Sequence, residues 1–295
     1  MTLLACATHV VRDLAAAVDR FQQWLDYTVV EEGVVPESLA AAWLAPASAG
    51  RPYAILKPAS GAEVFLRFVE GDPVESYLPI RSYGWAAIEI CVQDVMAVNE
   101  RMLRSPFDVI GPPTPIAGFP TIYPMQVRGA DQETVYLTEI KPDGPEHGLP
   151  VPATLIDKPF ILVLACADMA KSGRWFADVL GLAVTDPVAI RYRMIANAFG
   201  LSIEQLHEIT TASWEGQVFL ELDQYPDATI ERPRHPGALP PGVAICTLLH
   251  PQFERFDGHW ASEPVVREGA LYRGRRVGLL QTPEGALLEL IDSRD

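Results

Sequence analysis

The chain has 295 residues, of which 49% are hydrophobic, and a formal net charge of −15. That length and apolar content support two full cores, while the acidic balance argues against a nucleic-acid partner, whose phosphates need a basic patch. No apolar stretch approaches a membrane span, and no Lys or Arg precedes Arg12 to supply the basic region of a secretory signal. The expectation is a cytoplasmic protein without a membrane partner.

In chain order, one pattern recurs four times. LLACATHVVRD reads as a strand ending at Asp13, followed by the helix LAAAVDRFQQWLDY and a closing strand AEVFLRFV. WAAIEICVQD, VMAVNERMLR and ETVYLTEI repeat the scheme to Ile140. FILVLACAD, MAKSGRWFADVLGL and GQVFLELDQY form a third copy; VAICTLLHP, the short segment PQFERFDGHW and GALLELID form a fourth. Residues 141–159, rich in Pro and Gly, read as a linker between halves, so the expected domains are 1–140 (modules 1–73 and 83–140) and 160–295 (modules 160–228 and 242–295). Shorter breaks near Gly71–Gly84 and Glu231–Gly242 separate modules within each half. The third copy carries an extra segment, RYRMIANAFGLSIEQLHEITTASW, whose length predicts a helix near Ile195–Gly200 and a strand near His207 forming a lid or rim.

The third opening strand with its FADVLGL, and the fourth ending TPEGALLELID, resemble the vicinal oxygen chelate superfamily, which includes glyoxalases, bleomycin-resistance proteins and extradiol dioxygenases. The resemblance implies an α+β fold: four βαβββ modules paired into two cup-shaped mixed sheets with helices outside. We expect modules one and two to form the first cup and modules three and four the second. In that family a divalent metal usually sits on one opening-strand and one closing-strand position of each module.

Counting back from the Asp that ends each opening strand, the resemblance puts the opening slots at Cys6, Ala87, Ile161 and Val243, and the closing slots at Arg67, Tyr136, Glu221 and Glu289. None is histidine. The first cup is therefore expected to hold no metal, with Arg67 approaching Glu89; Tyr136 would assist Arg67 if a substrate carboxylate binds there. The second cup keeps two carboxylates, half of an ordinary metal shell. No cofactor is expected; if a divalent ion does bind, Glu221, Glu289 and His207 are its ligands.

Without metal, two acids in an apolar pocket are equipped for proton transfer, because one is pushed to a raised pKa and donates while the other accepts. Glu221 and Glu289 are the expected catalytic pair. Asp223, Tyr225, His207, Trp214, Arg67, Glu89 and Tyr136 are the expected substrate contacts. The resulting reading is an isomerase or lyase acting on a small, apolar, oxygenated molecule, aromatic or polyketide-like. A non-catalytic sequestering protein of the bleomycin-resistance type, or a metal-dependent glyoxalase- or dioxygenase-like enzyme, is the alternative. Oligomeric state is left open, a homodimer included. Cys6, Cys91, Cys166 and Cys246 fit neither a zinc spacing nor a disulfide framework and read as small buried hydrophobes. His9 reads as packed between sheet and helix, Trp24 and Trp175 as core, and His147 and His235 as exposed.

Overall fold

Three of the four repeats begin alike because an Asp ends the opening strand and caps the helix that follows. Asp13, Asp94 and Asp168 have extended backbone, and their side chains accept hydrogen bonds from amides of the first helical turn. In the fourth repeat His250 stands at that point, and only a 3-10 turn, Phe253–Phe256, forms.

The computed structural model describes residues 3–141 and 148–294. The first module comprises β1 (Leu4–Val11), α1 (Leu14–Leu25), β2 (Tyr27–Val34), α2 (Glu37–Ala42), β3 (Pro52–Pro58) and β4 (Phe65–Glu70). The second comprises β5 (Gly84–Val92), α3 (Val95–Met102), β6 (Asp108–Gly111), β7 (Ile122–Arg128) and β8 (Thr134–Ile140). The third comprises β9 (Ile156–Cys166), α4 (Met169–Trp175), β10 (Ala183–Val184), β11 (Val188–Arg191), α5 (Arg193–Phe199), β12 (Leu206–Trp214) and β13 (Gln217–Gln224). The fourth comprises β14 (Gly242–His250), β15 (Ser262–Arg267), β16 (Arg275–Gln281) and β17 (Leu287–Asp292). The linker reading falls partly on residues 142–147, as does the reading of His147, and these lie outside the described residues; β9 starts at Ile156, inside the stretch expected to be linker.

The strand order corrects the expected pairing of modules. One sheet runs β15-β16-β17-β14-β1-β4-β3-β2 and the other β10-β12-β13-β9-β5-β8-β7-β6. Module one thus completes a cup with module four, and module two with module three. We call these the outer and inner cups. The physical reason lies in the connectors. The stretches 71–84 and 231–242 each carry the chain from one sheet to the other, and Ser82 in the first is bridged to Ile230, immediately before the second. The segment between modules two and three instead feeds β9 back beside β5, antiparallel, with Ile88 opposite Leu162. β1 and β14 make the matching antiparallel seam of the outer cup, with Ala7 opposite Cys246.

Apolar burial follows this arrangement. One cluster, including Phe21, Phe68, Trp85, Leu162, Phe219 and Leu290, draws on all four modules. A second fills the outer cup around Trp43, Ile55, Ile245 and Leu279; a third lies in the inner cup around Tyr136, Val163, Tyr192 and Ile209. All four cysteines are buried and unpaired, as read from sequence. His9 is fully buried, edge-on to Phe68. Trp24 and Trp175 pack against the shared core, and His235 is exposed. Among the described residues no helix is long and apolar enough to cross a membrane.

Candidate active site

Cross-strand register places the functional rows. In each module one opening-strand residue lies beside one closing-strand residue on the cup face: Thr8 beside Arg67, Glu89 beside Tyr136, Val163 beside Glu221, and Thr247 beside Glu289. The expected opening slots Cys6, Ala87 and Ile161 lie two residues earlier along the strand and Val243 four, and alternation with period two keeps them on the same face.

Glu221 and Glu289, expected to share a proton, stand in different sheets. In the outer cup Arg67 is 1% exposed and its Nη2 lies 3.2 Å from Glu289 Oε2. The expected contact from Arg67 to Glu89 is absent, because Glu89 belongs to the inner cup. Trp43 Nε1 donates to Glu289 at 2.8 Å, Thr247 at 2.9 Å and Tyr272 at 3.0 Å, while Arg67 Nε donates to Thr8 at 2.9 Å. The guanidinium also stacks 4.5 Å from the Trp43 ring centroid. Each carboxylate oxygen is met by donors and each guanidinium nitrogen by an acceptor, the Tyr272 hydroxyl accepting from Arg67 Nη1, which is how a buried ion pair offsets its desolvation. Cys6, beside this pair, has its thiol pushed up to about 12 by burial, so it is no nucleophile.

The inner cup is different. Glu89, Glu221 and Asp223 gather on its floor, and among the described residues none of the three forms an ion pair. Glu89 accepts from Thr138, and Glu221 Oε1 lies 3.0 Å from the Tyr192 hydroxyl. That hydroxyl is also 3.0 Å from Tyr136. One proton serves one acceptor, so with Glu221 ionised the donors run from Tyr136 to Tyr192 to the carboxylate. Asp223 is 1% exposed, and neither of its oxygens makes a hydrogen bond of ordinary geometry, although Glu221 and the Tyr192 hydroxyl stand beside it. Burial, then the charge of Glu221, pushes Glu89 up to about 8. Burial also raises Glu221, against the opposing bond from Tyr192, and it raises Asp223 strongly, helped by the charge of Glu221.

Above this floor lies a cavity of about 310 Å³, lined by Glu89, Gln126, Tyr136, Tyr192 and Glu221, with Ile116, Ile190 and Ile209 as apolar walls. The inserted segment forms its roof. β11 and α5 bracket Tyr192, and α5 ends at Gly200 in the left-handed conformation glycine favours. The helix and strand predicted for this segment are present as α5 and β12. Tyr192 itself was missed; its only signal is an aromatic between two arginines at the start of an inserted helix.

The other expected contacts divide. Tyr225 is buried in the inner cup, edge-on to Phe199. His207 is buried on β12 opposite Ile190, and its Nε2 meets no partner. Trp214 packs on His250, 5.0 Å between ring centroids, in the shared core outside either cup. Trp43 lines the outer cup.

The chain resembles solved structures over nearly its whole length. Glyoxalase I from Zea mays superposes with TM-score 0.66 at 14% identity, covering 99% of this chain and 93% of that one. A putative dioxygenase from Bacillus subtilis gives 0.63 at 12% identity, covering 100% and 86%. No family model matches the chain, and no curated protein is significantly similar to it in sequence. The architecture is the vicinal oxygen chelate fold in its four-module form, α+β, with two curled mixed sheets.

That fold commonly holds a divalent metal on the four slots of a cup. In the inner cup the expected slots carry Ala87, Tyr136, Ile161 and Glu221, with Glu89 and Val163 beside the closing pair, and among the described residues no group of three or more His, Cys, Asp or Glu side chains is arranged to hold an ion. Glu221, Glu289 and His207, the ligand set expected from sequence, do not form one site, because Glu289 is in the other sheet. The donor set does not fit the metal, and no step is derived through one.

Proposed function

We propose that the inner cup is the active site of an isomerase or lyase that moves protons beside a carbonyl in a small, apolar, oxygenated molecule. The carrying observation is the carboxyl cluster Glu89, Glu221 and Asp223, set without a counter-charge at the base of a cavity, with Glu89 and Asp223 buried and Glu221 half-buried. Three such groups do not all ionise at neutral pH, so the cluster holds acid and base together. Glu221, supplied with a donor by Tyr192, takes the proton from the carbon next to the carbonyl. Glu89, with its pKa pushed up to about 8, gives its proton to the carbonyl oxygen. The C–H electron pair becomes the C=C of an enol. In a β,γ-unsaturated ketone that enol is conjugated with the second C=C, so return of the Glu221 proton to the γ carbon, as Glu89 recovers the enol proton and the C=O re-forms, moves the double bond into conjugation with the carbonyl and restores both groups. The outer cup, whose cavity of about 280 Å³ ends on the already paired Arg67, is assigned a structural role. Four unpaired cysteines support a reducing compartment, the cytoplasm.

Hydrogen–deuterium exchange in D2O tests this reading on a panel of aromatic and enone-like ketones, first screened for thermal stabilisation. Exchange at the carbon beside the carbonyl should fall about 10²–10⁴-fold in Glu221→Gln with binding retained, the range of general acid–base catalysis. Binding without exchange in the unsubstituted protein would make it a sequestering protein instead.

A further inference from the structure

The two cups pose the same electrostatic problem and answer it differently. In the outer cup the closing-strand carboxylate Glu289 is met by Arg67, the closing-strand residue of the partner module. In the inner cup Glu221 occupies the equivalent position, and the residue equivalent to Arg67 is Tyr136. The cation is missing there, although two further carboxyls, Glu89 and Asp223, have been added. Asp223 carries the point furthest. It is 1% exposed and makes no hydrogen bond of ordinary geometry, with only the Glu221 carboxyl and the Tyr192 hydroxyl beside it, whereas buried carboxylates ordinarily find strong donors or counter-charges.

We infer that the molecule accepted by the inner cup carries a protonated amine, which takes the place Arg67 fills in the outer cup. This rests on the reading of the inner cup as the binding site, and it names the charge of the substrate. The surroundings suit an ammonium group. Tyr136 and Tyr192, with ring centroids 6.5 Å apart and planes at 69°, both line the cavity beside the carboxyls. The walls beyond are apolar, and a cavity of about 310 Å³ accepts an aryl or alkyl body attached to the amine. The fixed cations at the mouth do not fill the role. Arg191 pairs with Glu204 at 2.8 Å, and Arg193 is exposed on the rim. A net charge of −15 further concentrates cations over anions at the surface.

An ammonium ion binds ionised Asp223 and therefore competes with the proton that burial holds there, while Glu89 keeps its own proton for the carbonyl. Binding should release protons and strengthen from pH 6 to pH 8.

The test compares phenethylammonium with its neutral and anionic analogues, 2-phenylethanol and phenylacetate, by calorimetry on the full chain in two buffers of different protonation enthalpy. We expect phenethylammonium to bind at least about tenfold more tightly than the alcohol, the worth of a charge-assisted hydrogen bond, and phenylacetate to bind least. The advantage should shrink to within about twofold in Asp223→Asn. Glu221→Gln serves as the second variant if circular dichroism shows the first to be unfolded. Equal binding of amine and alcohol, preference for phenylacetate, or an amine preference untouched by both variants overturns the inference. Ketone exchange without amine preference removes this inference and leaves the proton-transfer reading standing. Amine preference without exchange does the reverse.

Discussion

Arg67 and Glu289, 222 positions apart, meet 3.2 Å from each other on the closing strands of modules one and four, and both are at least 98% buried. Their contact fixes the outer cup's two halves together across the β1·β14 seam. Arg67→Met alone should destabilise the protein by about 3–5 kcal/mol, because it leaves Glu289 buried without its cation. The double variant Arg67→Met with Glu289→Leu should recover a large part of that loss. Urea unfolding of the two single variants and the double checks this; additive losses would show that no coupling exists.

Glu89 should make stability fall as pH rises. Its folded pKa is pushed up to about 8 from an ordinary 4.5, so the stability it contributes is fully present below pH 4.5 and is lost as pH rises through 8. Glu89→Gln removes that loss. Relative to the unsubstituted protein, the variant should gain stability steadily between pH 5 and pH 8, read from melting temperatures across the range.

His9 acts in the opposite direction. Burial lowers its folded pKa to about 3 from 6.5, and both ring nitrogens lack partners. Below pH 6.5 the unfolded chain takes up a proton that the folded chain refuses, so stability declines as pH falls toward 3. His9→Phe should flatten this acid limb, whatever its effect at pH 8.

Tyr192→Phe separates the roof from its hydrogen bond. The ring is kept, while Glu221 loses its donor and its pKa moves further up. The basic group in the pH dependence of ketone exchange should shift to higher pH, with a drop of about tenfold in rate at pH 7. An unmoved profile would remove Tyr192 from the machinery.

The repeated modules were legible because strand alternation and an N-capping Asp are local signals. Pairing of modules was not, since either seam satisfies the same repeat, and the deciding feature is where the stretches 71–84 and 231–242 lead. That one uncertainty propagated into the site. It placed Glu221 with Glu289 and Arg67 with Glu89, each a pair that the strand order separates. Alternation identified the cup face of β5, including Glu89, but the register that sets Glu89 rather than Ala87 beside Tyr136 depends on the partner strand. Asp223 could be placed on the face, yet its lack of a partner is a property of the assembled cup.

The placing of one cup's modules between the other's along the chain also bears on the order in which the molecule assembles. Modules two and three adjoin in the chain, so the inner cup closes through contacts of modest sequence separation. The outer cup must bring Ala7 to Cys246. Loop closure over that span is entropically dearer and slower. During synthesis the inner cup is complete while β1 still awaits its neighbour, and the fourth module, arriving last, docks on a preformed body. A chain truncated after module three should retain the inner sheet and expose β1 as an open edge, the element most prone to pairing with another copy.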